Sequence, residues 1–198
     1  MRILQSDHHI SNKGFTIAEL VVIMGIMGLM SVIVISNQNQ SADQRKLTLE
    51  TRRLMQDLRK AQNMALSSTV QDCGGTSNQA VPFGIILNMD TPDRYFLVAD
   101  CYPPAEAPDY TSNHIYDSNN NNDPIVSSHV FTDAVIDSVN PINFSNSLEI
   151  FFFPPNPGTA INTDETDTAR ASITLCGYRN PSICQSIYVN SKGAIGVQ

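Results

Sequence analysis

Glu19 is the only charged residue in the run FTIAELVVIMGIMGLMSVIVI, residues 15–35. An ionised carboxylate among apolar side chains costs on the order of a few kcal/mol on insertion scales, and such an acid normally has a partner and a function. A short polar leader, MRILQSDHHISNKG, stops abruptly at Lys13-Gly14 just before that run. Cleavage of the bond between Gly14 and Phe15 would leave a cationic amine on Phe15. Glu19 would then lie four residues on, on the same helical face. A positive terminus there, its own or a neighbour's, would neutralise the acid. The chemistry these residues suggest is processing followed by charge pairing, not turnover.

The remaining reactive side chains fall after residue 70. Cys73, Cys101, Cys176 and Cys184 admit three disulfide connectivities. A location outside the cytoplasm would favour bridges, and Cys73–Cys101 with Cys176–Cys184 is the favoured pairing, since the second pair flanks a Pro-containing hairpin loop over 177–183. Free thiols and zinc are the alternatives; zinc is disfavoured because there is no C-x-x-C pair and no His nearby. Asp117, Asn119, Asn121 and Asp123 alternate as in the first half of an EF-hand calcium loop. Asn122 then stands where that loop needs Gly, and Ser128 where it needs a bidentate Glu, so the segment reads first as a polar surface loop and only weakly as a calcium site. Asp164, Glu165 and Asp167 read as a solvated loop. His8 and His9 lie in the leader, and His114 and His129 show no evident partner in sequence. No nucleophile elbow, phosphate-binding loop, dinucleotide fingerprint or zinc-hydrolase pair occurs. The expectation is a non-enzyme without a cofactor.

These residues need elements to hold them. A helix over the 15–35 run would be about 31 Å long, a match to a bilayer core. An ordinary signal anchor is the simplest reading, and no small-residue cleavage site follows the run. Over 37–68 the residues are polar but helix-friendly. Leu47, Leu54, Leu58, Ala61 and Ala65 recur on one helical face. Arg45, Glu50, Arg52, Arg53, Asp57 and Lys60 occupy the rest, as a solvated face or a contact with neighbouring subunits. One nearly continuous helix from about 15 to 68 is expected. From residue 70 short apolar runs of period two take over, predicting strands over 83–88, 94–100, 130–136, 148–153, 171–176, 183–190 and 194–197, with a tight turn over 190–193. This region holds four basic and fourteen acidic residues, a net charge of −10, against −7 for the whole chain of 198 residues. That balance disfavours nucleic acid as a partner.

Lys13-Gly14-Phe15-Thr16-Ile17-Ala18-Glu19-Leu20 resembles the class III signal of type IV prepilins and type II secretion pseudopilins. The resemblance implies cleavage after Gly14 by prepilin peptidase, N-methylation of Phe15, and a role for Glu19 in docking the subunit into a filament. Ser36 stands where major pilins commonly carry a helix-breaking Pro, and Gly25 and Gly28 could loosen the helix or serve as close-packing points. Phe153-Pro154-Pro155-Asn156-Pro157-Gly158, then Ile173-Thr174-Leu175 and Ile187 to Ile195, are similar to the closing region of GspH/FimT-type minor pseudopilins.

The fold so implied is α+β and pilin-like, a long N-terminal helix with a transmembrane half and an amphipathic half packed on an antiparallel β-sheet head. Its parts would be a leader over 1–14, a transmembrane helix over 15–36, a stalk over 37–68 and a head over 69–198. The implied function is that of a minor pilin or pseudopilin in a type II secretion pseudopilus or type IV pilus. Implied partners are other pilin subunits, prepilin peptidase, an inner-membrane assembly platform and the membrane itself. The implied location is a single pass in the inner membrane with the head outside the cytoplasm, and a filament after assembly. A DNA-capturing competence pilin and an adhesin-like pilin displaying the 102–128 loop are the alternatives.

Overall fold

No proline interrupts the chain between Phe15 and Val81, and the residues from Ile17 onward are mostly good helix formers. In the computed structural model they form one helix, α1 (Ile17–Leu66). The structure describes residues 14–71, 79–101, 123–143, 145–153, 158–162 and 169–198, with backbone alone at 33–40 and 79. The helix stops in a Schellman arrangement: Thr69 N–H donates to Met64 O at 3.0 Å and Ser68 N–H to Ala65 O at 2.9 Å. Ser68 takes the left-handed conformation (φ 50°) that such an ending requires and that glycine usually supplies.

The chain divides into two units, Met1–Ser41 and Ala42–Gln198. In the second, Leu47, Leu54, Leu58, Ala61 and Ala65 of α1 are fully buried. They join one core with Phe83, Ile85, Tyr95 and Leu97 and with Ile173, Leu175, Ile187 and Val189. Each buried leucine contributes about 1.5–3 kcal/mol in transfer from water.

The strands, in chain order, are β1 (Val70–Gln71), β2 (Gln79–Ala80), β3 (Phe83–Asn88), β4 (Arg94–Ala99), β5 (Ile125–Val130), β6 (Ala134–Asn140), β7 (Ser147–Phe152), β8 (Thr159–Ile161), β9 (Arg170–Gly177), β10 (Cys184–Asn190) and β11 (Ile195–Val197). They form a five-stranded sheet β5-β4-β3-β7-β8, a four-stranded sheet β11-β10-β9-β6 and a β1-β2 ribbon, with all pairings antiparallel. In β9 the buried Ala171, Ile173 and Leu175 alternate with half-buried Ser172 and Thr174. Strand β7 is buried at every position, because Ile86, Val98 and Phe151 make a second small core on the other face of its sheet.

The β10–β11 turn is built around Asn190, whose side-chain oxygen accepts from Lys192 N–H and Ala194 N–H, and Gly193 follows at φ 74°. Gln62 of α1 donates to Gly193 O at 3.0 Å, fastening the turn to the helix.

Three expectations need correction. Among the described residues no helix is long and apolar enough to cross a membrane. Glu19 places a carboxylate within the apolar run, and beyond Ser36 the helix sequence turns polar. The transmembrane half of the expected fold, and with it the single-pass inner-membrane location, are therefore not supported. The β structure is also not one sheet under a helix: it is two separate antiparallel sheets and dominates the second unit. Finally, the strand expected over 130–136 is two strands. Phe131 turns into the core and Thr132-Asp133 make a bend, so β5 joins one sheet and β6 the other.

Candidate functional site

The residues that carry the class III resemblance sit at the start of α1. Thr16 is the residue before the first helical turn, and its Oγ1 accepts a hydrogen bond from Glu19 N–H at 3.3 Å. Leu20 N–H donates to Thr16 O at 3.2 Å. Thr16 is thus the N-cap and Glu19 the third helical residue, at the S/T-x-x-E spacing, with Thr16 Oγ1 supplying the cap bond. Glu19 is solvent-exposed and lies in the first turn, where its negative charge complements the helix dipole. The pattern was readable in the sequence as Thr16-Ile17-Ala18-Glu19, and it gives both side chains a local task in starting the helix. Gly14 and Phe15 precede the cap, and Phe15 is 76% exposed.

From Phe15 onward an unusual set of side chains faces solvent. Ile17, Val21, Val22, Met24, Met27, Leu29, Met30 and Val32 are all exposed. A cβ carbon built on Gly25 or Gly28 would meet nothing within 4 Å, so both positions are open within this chain. Apolar surface of this extent on a soluble-protein scale marks a face that something else covers.

The cysteines are resolved in part. Cys176 and Cys184 are directly opposite across β9 and β10 and form a disulfide, with Cα atoms 4.1 Å apart. Cys101 is also disulfide-bonded. Cys73 lies outside the described residues. So do Asp117, Asn119 and Asn121 of the weak calcium pattern, Asp164, Glu165 and Asp167 of the second acidic loop, and Pro154 to Pro157. Asp123 is described, and its Oδ1 accepts from Cys101 N–H at 2.9 Å. Among the described residues no group of three or more His, Cys, Asp or Glu could hold a metal ion.

Two polar links between α1 and the five-stranded sheet escaped the sequence reading. Tyr95 of β4, almost fully buried, donates its hydroxyl to Asp57 Oδ2 at 2.5 Å. Burial, and then the carboxylate it faces, push the Tyr95 phenol above its ordinary range. Two turns back along the helix, Glu50 Oε2 lies 3.1 Å from His129 Nε2 of β5, and Glu50 Oε1 accepts from Thr132 N–H at 3.2 Å. The His129 ring packs on Tyr95 and edge-on to Phe131. Two of the acids assigned to the solvated face of the helix thus point to the sheet, and His129 has a partner after all. A spacing signal existed, since Glu50 and Asp57 are seven residues apart. Their partners lie in strands far along the chain, so sequence could not name them.

The chain matches no protein-family model, no curated protein and no solved structure.

Proposed function

We propose that this chain is a structural subunit of a filament of the type IV pilus or type II secretion pseudopilus kind, a minor pilin or pseudopilin rather than an enzyme. The observation that carries the reading is the exposed apolar face from Phe15 to Val32, headed by the Gly14-Phe15 junction and by Glu19. In the proposed assembly that face is covered by the same segments of neighbouring subunits, and the amine of a processed Phe15 meets a Glu19 carboxylate. Apolar burial supplies the association energy at roughly 25 cal/mol per Å², and the acid fixes the register. The Cys176–Cys184 bridge across β9 and β10 fits a subunit that works in an oxidising compartment.

The test is the intact mass of the protein after co-expression with a prepilin peptidase. The expected species begins at Phe15 and carries one added methyl. An uncleaved chain, or one cut beyond residue 30, would remove the reading.

A further inference from the structure

The outward face of α1 between Arg45 and Leu66 carries charge of a single sign. At 100° per residue, Arg45, Arg52, Arg53, Arg59 and Lys60 fall within a sector of about 120°, opposite the buried stripe. All five are exposed. None of the ion pairs found among the described residues uses them; those pairs are Lys46–Asp133, Arg94–Asp93 and His129–Glu50. The acids that could have neutralised the face are turned inward, Glu50 to His129 and Asp57 to Tyr95. The five cations span about 22 Å along the helix axis. Leu49, 65% exposed, and Gln56 sit among them. An open groove on this face is lined by Gln56, Arg59, Lys60, Asn63, Met64 and Ser67.

Elsewhere the same unit carries two exposed acids that are in no ion pair among the described residues, Asp90 and Asp137. The β3–β4 turn holds Asp90 and Asp93, and Ile136 N–H donates to Pro92 O at 2.8 Å, which brings β6 against that turn. Register shifts between Ile136 and Ser138 where β6 pairs with β9, so Asp137 is the bulged residue with no partner across the ladder. Asp90 and Asp137 are both exposed. Asp93 is neutralised by Arg94 and Asp133 by Lys46, whereas among the described residues the Asp90 carboxylate accepts from a neutral amide, that of Asn146 at 2.8 Å.

We infer that the cationic face of α1 docks on the Asp90/Asp137 edge of a second copy of this chain. The argument is charge complementarity: among the described residues, five cations in no ion pair lie on one patch and two acids in no ion pair on another. Nucleic acid is the weaker occupant, because the region from Val70 onward carries −10 and repels a polyanion, whereas a local acidic edge can be brought up directly. The two patches are different surfaces of one chain, so the contact is heterologous. Such a contact leaves a free patch at each end and propagates in one direction instead of closing into a dimer. This inference rests on the filament reading and adds to it a polar lateral contact with a defined direction.

The test uses the full chain in non-ionic detergent, which covers the apolar face of residues 15–32. Self-association is measured by sedimentation at low and raised salt for the wild type, for R52E/R59E, for D90R/D137R and for an equal mixture of the two variants. Circular dichroism confirms that each is folded, and R52Q/R59Q replaces the first variant if it is not. The expected result is salt-sensitive association of the wild type, weakened about tenfold or more in each variant alone and restored in the mixture. Three outcomes overturn the inference: wild type that does not associate, association unchanged in both variants, or an arginine variant that loses only binding to a duplex DNA oligonucleotide. Cleavage at Gly14 is read separately, so its failure removes the filament reading, while intact cleavage without charge-dependent association removes this inference alone.

Discussion

Replacing Tyr95 by Phe keeps the ring and deletes one hydroxyl, which makes it a clean probe of how β4 is tied to α1. The hydroxyl donates to Asp57 Oδ2 at 2.5 Å from a side chain that is 1% exposed, and the ring stays packed on His129 and Phe131 at centroid distances of 5.2 and 5.3 Å. A hydrogen bond to a charged group is worth about 1.5–3 kcal/mol, and the half-buried carboxylate left behind has no other hydrogen bond among the described residues, so a loss of about 2 kcal/mol is expected near pH 8. A second signature appears in alkali. The phenol ionises in the unfolded chain near its ordinary value of about 10, whereas burial, reinforced by Asp57, holds it protonated in the fold well above that. A folded-state value above the unfolded one contributes stability that is complete below pH 10 and is lost as the pH rises further. The limiting slope is about 1.4 kcal/mol per pH unit. Urea denaturation followed by circular dichroism between pH 8 and 11 should show this alkaline limb in the wild type and its absence in Tyr95→Phe. An identical slope in both proteins, or a variant as stable as the wild type at pH 8, would refute the reasoning.

Other expectations follow from the same packing. Leu54→Ala opens a cavity at a fully buried position of the helix–sheet core and should cost about 3–4 kcal/mol in urea denaturation; a loss below about 1 kcal/mol would mean that this face is not under load. Ser68→Gly relieves an L-residue held at φ 50° at the end of α1 and should stabilise by about 0.5–1 kcal/mol, read as a higher urea midpoint. Co-expression with a prepilin peptidase should yield a chain beginning at methylated Phe15, and paired reversal of the α1 cations and the Asp90/Asp137 edge should restore an association that either reversal alone weakens.

Local pattern explains which parts of this chain were readable. The stripe Leu47, Leu54, Leu58, Ala61 and Ala65 repeats with the helical period, and all five side chains are fully buried. Ile173 and Leu175 alternate with Ser172 and Thr174, and the strand there is β9. The reading went wrong where a run of suitable residues was divided by tertiary structure. Val130 to Ile136 contains enough apolar residues for one strand, but Phe131 is drawn into the core beneath Tyr95, and the chain changes sheets at the bend. The transmembrane expectation rested on matching the apolar run to bilayer thickness, whereas no helix among the described residues is long and apolar enough to cross a membrane. The Thr16 N-cap falls within the same four residues that carry the prepilin resemblance, so one short stretch serves both.

Sequence by itself determined the features that depend on neighbours along the chain: the start of α1 at its Thr16 N-cap, its buried stripe, the alternation of β9 and β10, the turn at Asn190 and the sign of the charge from Val70 onward. Only the tertiary structure decided which polar residues are partners. Glu50 and His129 are 79 positions apart, Asp57 and Tyr95 are 38, and Lys46 and Asp133 are 87. No periodicity reaches over such distances; these contacts form when two sheets and a helix close on one core. That closure turns Glu50 and Asp57 inward, and it leaves Arg45, Arg52, Arg53, Arg59 and Lys60 as an outward cationic face.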